Sequence, residues 1–362
     1  MEECSKEFLL RITQKNSFCK IKNVIKVKKS EIKIDQIVKE DGELTRDYKE
    51  SRDFIIRKHF PLIDDHYELT EEELPDIEEY KFTKQEIENS IKGMKRGGAP
   101  GYNGWTTELV EECYFTDSEW FTQVLNTCFI NGFFPENWKT AEVILIPKEG
   151  TDLKDYKSYR PICLLTIWGK ILDKLIANRL TYFLEENQIL NNNQYGFRKY
   201  NSTISALQGV TEFIGESKAL NKVTCMVSLD TENAFNSVRW SNIKQLLEKY
   251  KVPRYLGRLL NDFSKDRSVL LTDGTRWIYN QGVPQGSCLG PIMWLLVANE
   301  LLNYFEFDEN HRIQAFADDI IILMRAAASY HFVNNSQDIM KKLENWAAKF
   351  RLKFSKRKTK YT

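Results

Sequence analysis

The sequence predicts an α+β fold. Short β-branched apolar runs of strand length are mixed with longer amphipathic stretches of helical length. The two kinds follow one another without a regular βαβαβ rhythm. Asp273-Gly274 sits between two strand-like runs, a strong hairpin turn signal.

Taken in order, the elements are these. Thr83-x-x-Glu86 is a capping box; Ile87, Ile91 and Met94 follow at helical spacing, and Gly97-Gly98 stop the helix after Lys95 and Arg96. Ala99–Gly104 (APGYNG) is rich in breakers and reads as a loop. Phe121–Phe129 reads as helix, Ala141–Pro147 as strand, and Leu164–Leu184 as a long amphipathic helix, with another over Ser202–Gly215. Val223–Asp230 (VTCMVSLD) is a buried strand with a carboxylate at its end, and a helical stretch runs on through Tyr250. Pro253 opens the next helix. Ser268–Val283 holds the two strands of the hairpin, and Pro291–Phe305 is helical. Arg312–Met324 (RIQAFADDIIILM) reads as two apolar strands meeting at a polar turn, and Ser329–Phe350 as a final helix before a basic end.

At 362 residues, with 42% hydrophobic and 12% aromatic residues, the chain can bury a sizeable core, and global disorder is excluded. Lys+Arg 52 against Asp+Glu 51 leaves a net charge of +1, so any affinity for phosphates must come from local patches. No apolar run reaches the ~18 residues of a membrane span. The acidic start Met1-Glu2-Glu3-Cys4 lacks the order of a secretory signal. Seven scattered cysteines without a Cys-x-x-Cys read as free thiols in a reducing, intracellular compartment. Three segments are expected: a charged extension or linker over 1–80 (basic at Lys20–Lys33, acidic at Asp64–Glu79), a helical lead-in over 81–129, and a main unit over 130–362.

The chemistry points to the aspartates. Asp318-Asp319 are adjacent and are followed at once by Ile320-Ile321-Ile322-Leu323. Neighbouring like charges beside an apolar run are unfavourable unless a cation sits between them. If the strand ending at Asp230 pairs with the Asp318-Asp319 hairpin, three carboxylates meet at one sheet edge, a donor set for hard divalent ions. A plain surface turn is the alternative for Asp-Asp alone. Gln281–Ser287 (QGVPQGS) lies between the hairpin and a helix, and its glycines let backbone come close to a ligand or simply turn the chain. Phe235 follows Asp230 by five residues, placed for a pocket wall or for core packing.

These residues together resemble a reverse transcriptase, specifically the polymerase of non-LTR (LINE-type) retrotransposons. FADD (Phe316–Asp319), SLDTENAF (Ser228–Phe235) and GVPQGSCLGP (Gly282–Pro291) are similar to the family's palm motifs. APGYNG, the ILIPK run ending at Lys148, YRPICLL (Tyr159–Leu165) and QYGFR (Gln194–Arg198) are similar to its fingers motifs, in the same order.

The resemblance implies a right-hand polymerase with fingers and palm, the palm an antiparallel ferredoxin-like sheet backed by helices, and a chain that stops before the thumb. It implies RNA-directed DNA polymerisation in retrotransposon replication, with an RNA template, a DNA primer, deoxynucleoside triphosphates and two Mg²⁺ ions, Mn²⁺ being a substitute. The setting would be a ribonucleoprotein in nucleus or cytoplasm, with no membrane. Asp230, Asp318 and Asp319 would be catalytic and metal-binding, Asp319 supporting the primer end. Phe235 would exclude the ribose 2′-hydroxyl, Gln285 would lie against the nucleotide, and Gly286 would let it approach. Lys148 and Arg160 would hold the triphosphate, and Lys358 would protonate the departing pyrophosphate. Arg198 would touch phosphate or serve as an ordinary loop cation.

Asn236 and Asn103 stand where the family often has Asp, and neither is expected to bind metal. The alternative function is a catalytically inactive, polymerase-like RNA-binding relic, gripping RNA through Arg351–Lys360, Tyr195 and Phe197. A metal-dependent phosphohydrolase would need a base near the site, and of four histidines only His311 lies near these motifs in sequence.

Overall fold

The computed structural model describes residues 34–65, 67, 77–305, 308–328, 331–355 and 358–361. The basic run Lys20–Lys33 and most of the acidic run Asp64–Glu79 lie outside them. Helix α1 (Tyr48–His59) starts at Asp47, whose side chain accepts from the Glu50 amide. Its Ile55 and Ile56, with Ile37 and Phe60, pack against Ala141, Val143, Tyr159 and Val269, so this part of the N-terminal stretch belongs to a sheet's core.

Helix α2 (Lys84–Lys92) carries the Thr83–Glu86 capping box. Helices α3 (Thr107–Thr116) and α4 (Ser118–Asn131) follow, capped by Thr106 and Asp117, and the short α5 (Glu136–Lys139) leads into β1 (Thr140–Pro147). Strand β2 (Tyr159–Leu165) pairs antiparallel with β1, and Thr166 then caps α6 (Ile167–Glu186). The helix expected from Leu164 therefore starts later, because Leu164 and Leu165 finish a strand. Pro161 hides that strand in the sequence. In the structure it shares the outward side of edge strand β2 with Cys163, whose N–H also turns away from β1, so its missing donor breaks no ladder bond.

Helix α7 (Thr203–Ala219) precedes β3 (Val223–Asp230). The short α8 (Ala234–Ser237), α9 (Trp240–Lys249) and α10 (Arg254–Ser264) follow, then β4 (Ser268–Leu270) and β5 (Arg276–Ile278). Strand β4 runs parallel to β1, completing a first sheet of order β2-β1-β4-β5.

Helix α11 (Leu289–Tyr304) is buried on nearly every side, as its continuous apolar run requires. Strands β6 (His311–Phe316) and β7 (Asp319–Ala326) form the expected hairpin, α12 (His331–Phe350) follows, and β8 (Lys360–Tyr361) joins β3. The second sheet is wholly antiparallel, in order β6-β7-β3-β8. The main core lies between α6, α11 and this sheet.

Cys113, Cys128, Cys163, Cys225 and Cys288 are free thiols. Among the described residues no helix is long and apolar enough to cross a membrane.

Ile320, fully buried at the root of the β6–β7 turn, anchors the hairpin. Ile320→Ala is expected to lower unfolding free energy by about 2–5 kcal/mol in urea titrations; a loss under about 1 kcal/mol would mean that this root is not packed.

Candidate active site

Strand register sets the acidic cluster. Asp230 ends β3, Asp319 begins β7, and the two are direct cross-strand partners. Opposed residues of an antiparallel pair share a face, with Cβ atoms about 4.5–5.5 Å apart. Asp318 sits in the turn beside Ala317, whose carbonyl accepts a 2.8 Å hydrogen bond from Trp294 Nε1. Asp230 and Asp318 line one cleft of about 270 Å³. Asp319 stands at the rim, more exposed and outside that lining. Its carboxyl is nevertheless pushed above the ordinary range, first by partial burial and then by Asp318 and Asp230, with Lys358 opposing.

The cleft also holds several bases. Lys148 follows β1 and Arg160 is the second residue of β2, so the strand pair carries both to the same opening. Burial pulls the Lys148 ammonium down, and Arg160 and Lys358 add to it; its Nζ donates to the Lys157 carbonyl at 2.6 Å. Crowded cations of this kind favour an anionic ligand. Lys358 Nζ lies 2.9 Å from Asp230 Oδ1. It is brought there because Ser355 N donates to Asp230 O, and Glu232 N to Lys353 O, both at 2.8 Å.

Gln285 also lines the cleft, and its carbonyl accepts from Cys163 N at 3.1 Å. Gly286 does not line it. At φ +121°, with a Cβ there falling 3.0 Å from the Cys163 carbonyl oxygen, only glycine lets the loop pass along β2. Behind this loop stands a residue the sequence reading missed. Asp173, fully buried on α6, accepts from Ser287 Oγ (3.0 Å), Cys288 N (2.6 Å) and Leu289 N (3.2 Å), capping α11 and fixing the segment after Gln285. Burial pushes its carboxyl up to about 6. Its one sequence signal is a carboxylate inside the apolar run of α6.

Phe235 enters the cleft from α8, and Asn236 beside it donates Nδ2–H to His59 Nδ1 at 2.9 Å. The histidine at this site is His59, carried in by α1 from far along the chain, while His311 packs against Phe305 and Asp308. His59 Nε2–H faces the Tyr156 carbonyl at 3.3 Å, so a neutral ring meets both partners. Arg198 is committed elsewhere, in a two-pronged ion pair with Glu185 (2.9 and 2.6 Å) and a 2.8 Å bond to the Asn191 carbonyl. In this position it ties the loop to α6.

Among the described residues no group of three or more His, Cys, Asp or Glu forms a metal-holding cluster by itself. Mg²⁺ does not ask for one: it is usually held by one or two carboxylates, waters and substrate phosphates. Asp230 and Asp318, two hard oxygen donors in one cleft with a cation already on Asp230, fit that requirement.

The family profile described as "Reverse transcriptase (RNA-dependent DNA polymerase)" matches residues 146–362, more than half of the chain. The chain belongs to the reverse transcriptase family. It is 26% identical over 283 residues to the probable RNA-directed DNA polymerase from transposon BS of Drosophila melanogaster, covering 76% of this chain and 31% of that protein. It is 28% identical over 333 residues to the Pol polyprotein of the type-1 retrotransposable element R1 of Bradysia coprophila, covering 89% and 32%. An apo telomerase structure from Candida tropicalis is similar with a TM-score of 0.46 at 14% identity, covering 62% and 44%. The chain spans about a third of the length of the curated relatives it matches.

Burial holds His59 neutral, pushed down to about 4 from an ordinary 6.5. Its contribution to stability is full above pH 6.5 and is lost as pH falls toward 4, where the unfolded chain binds the extra proton. His59→Gln is expected to remove up to about 3 kcal/mol of that acid-dependent loss, read from unfolding titrations between pH 7 and 4. Identical acid slopes in parent and variant would contradict a buried neutral ring.

Proposed function

We propose that the chain adds deoxynucleotides to a DNA primer on an RNA template, as the fingers and palm of a retrotransposon polymerase. One observation carries this reading: Asp230, Asp318, Lys148, Arg160, Phe235 and Gln285 all line a single cleft. Curated relatives named as RNA-directed DNA polymerases support it. So does the order β6-β7-β3-β8, all antiparallel, with α12 joining β7 to β8, the pattern of a ferredoxin-like sheet.

Asp230 and Asp318 would hold two divalent ions, Mg²⁺ or Mn²⁺, with Asp319 supporting the primer end. Such ions, when bound, activate the attacking 3′-hydroxyl and stabilise the departing pyrophosphate. The chain's own side chains do the rest. Lys148 and Arg160 bind the triphosphate and neutralise its charge. Gln285 lies against the nucleotide, its backbone held by β2 on one side and its loop by Asp173 on the other. Phe235 closes the sugar end of the cleft against a 2′-hydroxyl. Lys358, beside Asp230, is placed to give a proton to pyrophosphate.

Primer extension on an RNA template is expected to fall by about a hundredfold or more in Asp318→Ala. Equal activity in both would sink the assignment, and salt-sensitive RNA binding without incorporation would favour the RNA-binding relic. Phe235→Ala is expected to raise the ratio of ribonucleotide to deoxynucleotide incorporation; an unchanged ratio would give the ring another role.

A further inference from the structure

We infer that Phe197 is a positioning residue for sugar selection, holding the Phe235 ring at its working angle; this rests on the reading of Phe235 as the barrier to the 2′-hydroxyl. The two rings meet edge to face, with centroids 6.0 Å apart and planes at 75°, the arrangement in which an aromatic pair attracts. Phe235 also meets Trp294 at 6.2 Å, and Trp294 is itself tied to the Ala317 carbonyl. Phe235 rides on a helix of only four residues, so its ring depends on these neighbours for its orientation.

The segment around Phe197 is built to deliver that ring. Tyr195 N donates to the Ala315 carbonyl, and Ala315 N to the Asn193 carbonyl, both at 2.9 Å, tying 193–195 to the strand that leads into the Asp318 turn. A Cβ at Gly196 would run into the Ala317 amide, so this position needs glycine. Arg198 locks the far side through Glu185 and the Asn191 carbonyl. Phe197, between these anchors, takes the left-handed conformation at φ +59° and stays 47% exposed. A non-glycine residue held there carries strain, and core burial does not explain it. The contact with Phe235 does. Tyr195, Gly196, Phe197 and Arg198 of QYGFR thereby each acquire a physical task.

The test is single-nucleotide incorporation on an RNA template and DNA primer, comparing kcat/KM for matched ribo- and deoxynucleoside triphosphates. The proteins are the parent, Phe197→Ala, Phe197→Tyr, Phe235→Ala and the double alanine variant. Phe197→Ala is expected to raise the ribo-to-deoxy ratio roughly three- to tenfold, the worth of one aromatic pair. Phe197→Tyr should keep the parent's ratio. The double variant should be no more permissive than Phe235→Ala alone, because both changes remove one device. Equal losses for both sugars in Phe197→Ala would mean that the ring serves the template and would overturn the inference, as would additive effects in the double variant. A relaxed Phe235→Ala beside an unchanged Phe197→Ala overturns this inference alone. A parent that incorporates nothing, or a Phe235→Ala with the parent's ratio, overturns the underlying reading and the inference with it.

Discussion

The antiparallel ladder between β3 and β7 is the constraint on which the cleft depends. It runs from the Val223–Ala326 pair to the Asp230–Asp319 pair without a break. Because side chains alternate with a period of two, a slip of one residue would turn Asp230 to the opposite face and separate it from the Asp318 turn. Leu229 and Ile320, both buried next to the aspartates, fix the register by placing their apolar side chains in the core. The same packing that folds the sheet therefore positions its carboxylates, and β8 brings Lys358 to them from the other edge.

Around this ladder the molecule balances charge by geometry and not by composition. A net charge of +1 hides a cleft that gathers several acids and several bases in one place. Lys148 and Arg160 come from the first sheet, while Asp230, Asp318 and Lys358 come with the second, so the site draws on both. Polar groups brace the cleft: buried Asp173 behind the Gln285 loop, and buried His59 bonded to Asn236 beside Phe235.

Much of the fold could be read from the sequence. Val223–Asp230 forms a strand with the bounds its β-branched run suggests, and Thr83–Glu86 caps its helix as the motif requires. What escaped was set by distant partners. Strand β2 carries a proline that is harmless only on its outward edge, and α3 has a weak amphipathic pattern. Candidate site residues stood out where several chemical groups fell within one short motif. Asp173 and His59 did not, since neither falls inside a motif and each acts through contacts made only by the folded chain, Asp173 with Ser287, Cys288 and Leu289, His59 with Asn236 and Tyr156. Arg198 shows the converse: it lies inside a motif, yet its partner Glu185 sits thirteen residues back on α6 and takes up its charge.

The most direct measurement is anomalous diffraction at the manganese edge from crystals of this chain grown with Mn²⁺ and a non-hydrolysable deoxynucleoside triphosphate analogue. The account requires manganese peaks within coordination distance of the Asp230 and Asp318 carboxylates, with Lys358 released from Asp230. Peaks elsewhere, or a lysine still seated on that carboxylate beside a bound nucleotide, would contradict it.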